Sequence, residues 1–489
     1  MYIDGEWASA EESVDVIDPS TEQVFAKVPK GTREDVKRAL DAAHDAQGKW
    51  EDLSPLERSK YMLKIAGLIR ENKEKLALIL TTEQGKPLYE SRNEVEGSAI
   101  NFEYYAAYAR TLDGDYLPSD YARQSVMILK LPVGVVASIT PWNFPSSTVA
   151  RKIAPALITG NTVVTKPSSN TPLSSVALVR LAEEAGLPKG VLNLVTGPGS
   201  EVGDELTTNK GTDLITITGS TDSGRKTMEA ASHHVARLVL ELGGKAPLIV
   251  WKDANLDWAL KCAIWARFWN CGQTCISAER MYVHPEIKDK FLDAYVRAAK
   301  ALKIGDPKNS DTDLGPMVSS AQRQTCENFI EKAKEEGDKI ILGGSRPGNF
   351  RRGYYLEPTV ILVEDQKSPL IQEEIFGPVV PVMEVDDFDT AIEYSNDSMY
   401  GLSSYVYTSD LRLAMKAMHK IKFGESYINM IGPEQFQGAH TGFRQSGIGA
   451  EGSKYGLEGY TQLKTCYVDW EDKPNIPYLF PYGGKSNST

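Results

Sequence analysis

The chain has 489 residues, more than a single hydrophobic core serves, so about two or three domains are expected, each able to bury a core without disulfide staples. Hydrophobic residues make up 41% and charged residues 25%, an ordinary globular balance that excludes extended disorder and fibrous repeats. The net charge of −12 argues against nucleic acid as a partner, because phosphate contact needs clustered Lys and Arg.

The first residues, Met1-Tyr2-Ile3-Asp4-Gly5-Glu6-Trp7, show no basic stretch leading into an apolar core, and no run approaches the roughly 20 apolar residues of a membrane helix. A turn at Ile17-Asp18-Pro19 precedes a long helical stretch, about Thr32 to Tyr108, with breaks near Ser54-Pro55 and Gly85-Lys86-Pro87. After Gly114 the pattern changes to β-branched runs. Strands are predicted at Val133 to Thr140, Asn161 to Thr165, Val191 to Val195, Leu214 to Thr218 and Ala236 to Leu240. Their spacing of roughly 23 to 30 residues, with Ala-rich helical segments between, is that of βαβ crossovers and predicts a parallel sheet wrapped by helices. A second α/β unit follows from about Gly244 to Phe443, with strands at Ala246 to Val250, Arg280 to Val283, Ile340 to Leu342 and Val379 to Val385. Residues 471–489, rich in Pro, Gly, Ser and Asn without periodicity, read as an extended tail.

Five cysteines, an odd number, are spaced unlike a secreted disulfide framework, so a reducing, cytoplasmic setting is expected. Cys262 and Cys326 lie inside helical patterns and read as core. Cys275 follows Gly272-Gln273-Thr274, where the helical pattern breaks, and is expected at the start of a new helix, whose dipole would favour the thiolate. Cys271, four residues earlier, has no partnering His, and the six histidines show no ligand spacing, so no metal is predicted. Glu241 ends the fifth strand ahead of two glycines, and Asn143 follows the first strand with an amide able to donate to an oxyanion. Gly219 to Gly224, after the fourth strand, opens a helix whose backbone N–H groups could hold a pyrophosphate. Gly197-Pro198-Gly199 competes for that role, but Pro198 removes a donor and the segment reads as a turn.

The ordered set Trp142-Asn143-Phe144-Pro145, Lys166-Pro167-Ser168-Ser169, Gly219 to Gly224, Glu241 to Lys245, Gly272 to Cys275 and Glu373-Glu374-Ile375-Phe376-Gly377-Pro378 resembles the aldehyde dehydrogenase superfamily. The resemblance runs from about Tyr2 to Trp470. Gly432-Pro433-Glu434-Gln435-Phe436 and His440-Thr441-Gly442-Phe443-Arg444 look most like archaeal NADP-dependent glyceraldehyde and lactaldehyde dehydrogenases.

The resemblance implies an α/β aldehyde dehydrogenase fold: a Rossmann-like cofactor domain (1–111 and 131–243), an α/β catalytic domain (244–443) and a small β oligomerisation element with C-terminal tail (112–130 and 444–489). A homotetramer or homodimer would follow. Cys275 would be the nucleophile, Asn143 and the Cys275 N–H the oxyanion donors, and Glu241 the base that hydrolyses the thioester. Trp142, Lys166, Ser169, Gly219, Ser220, Gly224, Glu374 and Phe376 would bind the nicotinamide cofactor. Relatives that prefer NAD commonly carry Glu at the position of Ser169, so Ser169 with Lys166 implies NADP, with NAD possible. Many relatives have Pro-Phe-Gly-Gly where this chain has Ala439-His440-Thr441-Gly442, and apolar or aromatic residues at Thr148, Arg151 and Glu434. Thr148, Arg151, Glu434 and His440 therefore imply a polar pocket for a small hydroxyaldehyde such as glyceraldehyde or lactaldehyde, unless those groups bond one another. Arg151 leaves a semialdehyde acid open as the alternative. Acyl transfer to coenzyme A and a catalytically silent structural protein rank lower, because Glu241, Cys275 and Asn143 are all present.

Overall fold

A computed structural model describes residues 1–470; the expected tail, 471–489, lies outside the described residues. The helical region resolves into four helices, Arg33–Glu51, Pro55–Glu71, Lys73–Gln84 and Leu88–Ala106. Thr32 and Asp35 form a capping box at the first, as do Ser54 and Glu57 at the second, so the unpaired N-terminal N–H groups are satisfied at the predicted break. Gly85 caps the third at φ 95°, where an added Cβ would lie 2.9 Å from Pro19 Cγ.

The first sheet has eight strands. Its parallel centre runs Arg237–Glu241, Leu214–Thr218, Val135–Ile139, Thr162–Lys166 and Leu192–Leu194, with Gly447–Ile448 antiparallel at one edge and Tyr2–Ile3 and Glu6–Trp7 at the other. The strand that is first in sequence among the five, Val135–Ile139, sits between Leu214–Thr218 and Thr162–Lys166. Strand order therefore reverses beside it, which opens a crevice at the carboxyl ends. All five predicted strands are present, within a residue or two at each end.

The second sheet has seven strands in the order Lys339–Leu342, Thr359–Leu362, Val379–Glu384, Ala278–Val283, Ala246–Val250, Ser403–Tyr407 and Glu425–Ile428, all parallel except the first pair. Three of these escape the sequence reading. Thr359–Leu362 is only four residues long, and Ser403–Tyr407 and Glu425–Ile428 carry Ser or Glu where an apolar run was sought.

A third, antiparallel sheet joins Thr461–Asp469, Gln124–Pro132 and Asp115–Pro118, with pairing from Thr461↔Pro132 to Asp469↔Gln124. Tyr116, Leu463 and Tyr467 on it are exposed. A hairpin of Ser13–Asp18 with Gln23–Pro29 surrounds the turn expected at Pro19. Among the described residues no helix is long and apolar enough to cross a membrane.

Candidate active site

The helix Leu256–Phe268 ends in a run with left-handed backbone, Asn270 (φ 49°), Cys271 (φ 57°) and Gly272 (φ 71°). Such φ values strain residues other than glycine, and surrounding contacts must hold them. At Gly272 only glycine fits, since a Cβ would stand 2.3 Å from Gly377 O. Asn270 N donates to Glu90 at 3.1 Å, and Asn270 Nδ2 donates to Asn143 O at 3.0 Å. Lys86 Nζ donates to the same carbonyl at 2.8 Å and pairs with Glu94, whose other oxygen accepts from Ser146 N and Ser147 N at 2.8 and 3.2 Å. The Asn143 amide donates to Gln273 O at 3.1 Å, leaving its second N–H for another acceptor. The loops carrying Asn143 and Cys275 are thus tied together.

Residues 273–277 then lead into the strand Ala278–Val283, not into a helix. The expected helix-dipole assistance to Cys275 is therefore corrected: the loop after the helix Leu256–Phe268 feeds directly into the next strand, and the electrostatics come from side chains. Burial pushes the Cys275 thiol above its ordinary value, while a hydrogen bond to His440 and the charges of His440 and Arg151 act the other way. Cys262, Cys271 and Cys326 are buried, in keeping with core roles, and burial pushes Cys271 up to about 12.

Glu241 closes its strand opposite Thr218 and Gly447. Its side chain is 2% exposed, yet neither carboxylate oxygen accepts a hydrogen bond; the nearest cation is His440, with Nε2 3.6 Å away. Burial holds its pKa well above the usual carboxylate value. His440 Nδ1 lies 2.9 Å from Glu425 Oε1. Burial opposes the imidazolium, but Glu425, Glu434 and Glu241 together hold the His440 pKa well above the ordinary value. Arg151 pairs with Glu434 and stands 3.9 Å from Glu451, which pairs with the buried Lys152. Lys152 also donates to Thr216 Oγ1 at 2.9 Å.

Glu241, Cys275, Arg151, Glu434, His440 and Glu451 face one cavity of about 330 Å³, a volume suited to a small ligand, with Lys152 and Glu425 holding them from behind. Asn143, Glu241 and Cys275 line it, as do Thr148, Arg151, Glu434 and His440, so the structure brings the catalytic and pocket candidates together. Phe144, Trp269, Ile276 and Phe436 line it too, so the wall is mixed rather than wholly polar. Glu425, Glu434 and His440 bring ligand-type atoms within 4.8 Å of one another, but each is already held in an ion pair or hydrogen bond.

The cofactor candidates gather at the carboxyl ends of the first sheet. Lys166 ends its strand, buried, with Nζ on Pro167 O at 3.1 Å and no carboxylate paired to it among the described residues; burial lowers its pKa to about 8. Ser169 donates to Gly197 O at 3.0 Å. Gly219 N donates to Glu241 O at 3.0 Å, and Ser220 caps the helix Thr221–Ser232 by accepting from Ser223 N. A Cβ at Gly224 would meet Leu242 Cδ1 at 2.4 Å, so the glycine lets this helix approach the sheet. Trp142 and Phe376 meet edge-on at 5.4 Å. Phe376 (φ 56°) and Ile375 are held by N–H bonds to Glu279, itself paired with Lys245 and Arg267. Glu374 accepts from Gly244 N at 2.7 Å, and burial raises its pKa to about 8. A lone buried cation, a capped helix start and a neutral Ser169 at a switch-point crevice fit an anionic dinucleotide.

Sequence reading missed Lys152, Glu425, Glu451 and the Lys86–Glu94 pair. Lys152 had a signal: it interrupts an otherwise apolar face of the helix Ser147–Ile158, a costly place for an unpaired charge.

Comparison with known proteins agrees with this geometry. The pattern of the Aldehyde dehydrogenase family matches residues 7–466. The D-glyceraldehyde dehydrogenase (NADP(+)) of Thermoplasma acidophilum is 48% identical over 479 residues, 97% of each chain. Lactaldehyde dehydrogenase of Escherichia coli is 41% identical over 96% of this chain and 98% of its own, and its crystal structure superposes with a TM-score of 0.94, covering 96% and 98% of the two chains. A 3,6-anhydro-L-galactose dehydrogenase in complex with NAP, 41% identical, also superposes with a TM-score of 0.94, covering 96% of this chain and 99% of its own. The chain belongs to the aldehyde dehydrogenase family. It is an oxidoreductase that acts on aldehydes with a nicotinamide cofactor.

Proposed function

We propose that this enzyme oxidises a small hydroxyaldehyde, of the glyceraldehyde or lactaldehyde kind, to its acid, with NADP preferred over NAD. The observation that carries the reaction is that Cys275 and the buried carboxylate of Glu241, which accepts no hydrogen bond among the described residues, face one cavity. The Cys275 sulfur adds to the aldehyde carbon, and the free N–H of the Asn143 amide, with the Cys275 N–H, holds the oxyanion. A bound nicotinamide supplies the hydride acceptor for this chemistry. Glu241, whose pKa burial holds well above the usual carboxylate value, takes a proton from the water that hydrolyses the Cys275 thioester.

Arg151, Glu434 and His440 support a polyol-like substrate, because hydroxyls can join hydrogen bonds that an alkyl chain only displaces. They pair among themselves and with Glu425 at rest, so the discrimination comes from competition with these pairs rather than from groups left bare. Glu434 neutralises Arg151, which weakens the semialdehyde reading. NADP preference rests on Lys166, a cation without a carboxylate, beside the neutral Ser169. Trp142, Gly219, Ser220, Gly224, Glu374 and Phe376 complete the crevice. The apolar surface of the third sheet, with Tyr116, Leu463 and Tyr467 exposed, supports assembly of a homodimer or homotetramer through this element. All five cysteines are free, consistent with a cytoplasmic setting.

The test is kcat/KM for glyceraldehyde, succinic semialdehyde and hexanal with each cofactor. Glyceraldehyde with NADP should lead; a preference for hexanal would refute the polar pocket, and one for the semialdehyde would shift recognition to Arg151.

A further inference from the structure

The reaction draws on the Cys275 thiolate in one step and on the Glu241 carboxylate in a later one, both in one desolvated cavity where an anion is costly unless a cation stands beside it. Three candidate cations line or adjoin the cavity. Arg151 is engaged by Glu434, and Lys152 by Glu451 and Thr216. His440 is the one not bound up in a pair within the cavity wall: its Nε2 is 3.6 Å from Glu241 Oε2, and it lines the same cavity as Cys275, whose thiol pKa its charge lowers.

The ring is fixed from behind. Its Nδ1 bonds Glu425 at 2.9 Å, and Glu425 is held by Tyr427, whose hydroxyl donates to the other carboxylate oxygen at 3.0 Å. Glu425 stands in the edge strand Glu425–Ile428, paired with Ser403–Tyr407. The His440 backbone exchanges two hydrogen bonds of 2.8 Å with Glu451, so the base of the side chain is clamped as well. The charged and titratable groups facing His440 are Glu425, Glu434, Glu241, Glu451 and Cys275, with Arg151 paired to Glu434.

We propose that His440 is a further catalytic residue, an imidazolium that stabilises the Cys275 thiolate beside Glu241, and that Glu425 is the positioning residue that orients the ring and keeps it protonated. The proposal rests on Cys275 being the nucleophile and gives His440 a task apart from substrate recognition. The arrangement replaces the helix dipole that this cysteine lacks. A carboxylate behind the ring makes Nδ1 the donor and sends the second N–H of the imidazolium toward sulfur and Glu241.

The test needs neither aldehyde nor cofactor, so it is independent of the substrate assignment. The full-length protein, His440→Phe and the isosteric Glu425→Gln are treated with iodoacetamide across a pH series, and alkylation of Cys275 is followed by peptide mass. The thiolate sulfur displaces iodide, so the rate follows the thiolate fraction. Alkylation of free glutathione in the same mixtures serves as the internal control. The midpoint for Cys275 should rise by about one pH unit or more in both variants, slowing its alkylation about tenfold at neutral pH, with the glutathione control unchanged. Glu425→Asp should show a smaller rise than Glu425→Gln. If His440→Phe fails to fold, Glu425→Gln, which keeps an acceptor for Nδ1, decides alone. Unchanged Cys275 midpoints, even with a raised KM for glyceraldehyde, would overturn the proposal and leave His440 a substrate-contacting residue only.

Discussion

The crevice at the first sheet and the cavity beside Cys275 meet at Asn143 and Glu241 but treat charge differently. In the crevice, Lys166 has no carboxylate paired to it among the described residues, and the other contributors are backbone N–H groups, a capping serine and two aromatic rings. In the cavity, charges come in pairs: Arg151 with Glu434, Lys152 with Glu451, His440 with Glu425. An unpaired cation leaves a place for an anionic ligand, whereas paired charges give a neutral, hydrogen-bonding wall. Glu241, whose carboxylate accepts no hydrogen bond among the described residues and has only His440 near it, is the exception in the cavity.

The largest expected effect is that of Cys275→Ser, which should reduce dehydrogenase turnover to background while NADP binding, followed by fluorescence titration, persists. A hydroxyl at neutral pH is a far weaker nucleophile than a thiolate. Measurable steady-state oxidation by this variant would move the nucleophile elsewhere.

The contrast between paired and unpaired cations predicts opposite stabilities for two lysines. Lys152→Met strands the buried Glu451 carboxylate and should destabilise the fold by about 3–5 kcal/mol. Lys166→Met removes a cation that burial already disfavours, so its melting temperature should equal or exceed that of the native protein, while NADP affinity falls. Parallel thermal melts would show this, and equal losses in both would contradict the distinction.

Ser169→Glu should turn cofactor preference from NADP toward NAD by about ten- to hundredfold, the equivalent of about 1.4–2.8 kcal/mol, through repulsion of the 2′-phosphate. Unchanged kcat/KM ratios would remove Ser169 from the cofactor site. A smaller effect follows from pH. Burial lowers Lys166 to about 8, so the free enzyme carries this charge below that pH and loses it above. KM for NADP should therefore climb as pH rises through about 8, and KM for NAD should stay flat. Parallel curves for the two cofactors would contradict the role of Lys166.

The two regions also differ in what their sequences disclose. The crevice lies in loops that directly follow β-branched strands, so Asn143, Gly219 and Glu241 could be located from strand periodicity and a neighbouring turn, while Lys166 came from the resemblance. The cavity wall joins segments hundreds of positions apart, such as Arg151 with Glu434 and Lys152 with Glu451, and pairing of that kind leaves no local signature. Glu425 was hidden because its strand is four residues long and polar at its start. Cys275 was placed correctly at a chain break, but a broken helical pattern cannot distinguish a new helix from the strand Ala278–Val283 that follows. Glu434, Arg151 and His440 stood out as polar residues where relatives are apolar; that Arg151 pairs with Glu434 and His440 with Glu425 was visible only in three dimensions.

The central claim is that Cys275 forms the thioester and Glu241 only hydrolyses it. Rapid mixing of Glu241→Gln with glyceraldehyde and NADP tests this most directly, with reduced cofactor followed by absorbance and the trapped enzyme by mass. One equivalent of reduced cofactor per active site should appear, followed by a stall with the acyl group on Cys275 and steady turnover down by about 10²–10⁴. Steady turnover at the native rate, or no first equivalent at all, would contradict it.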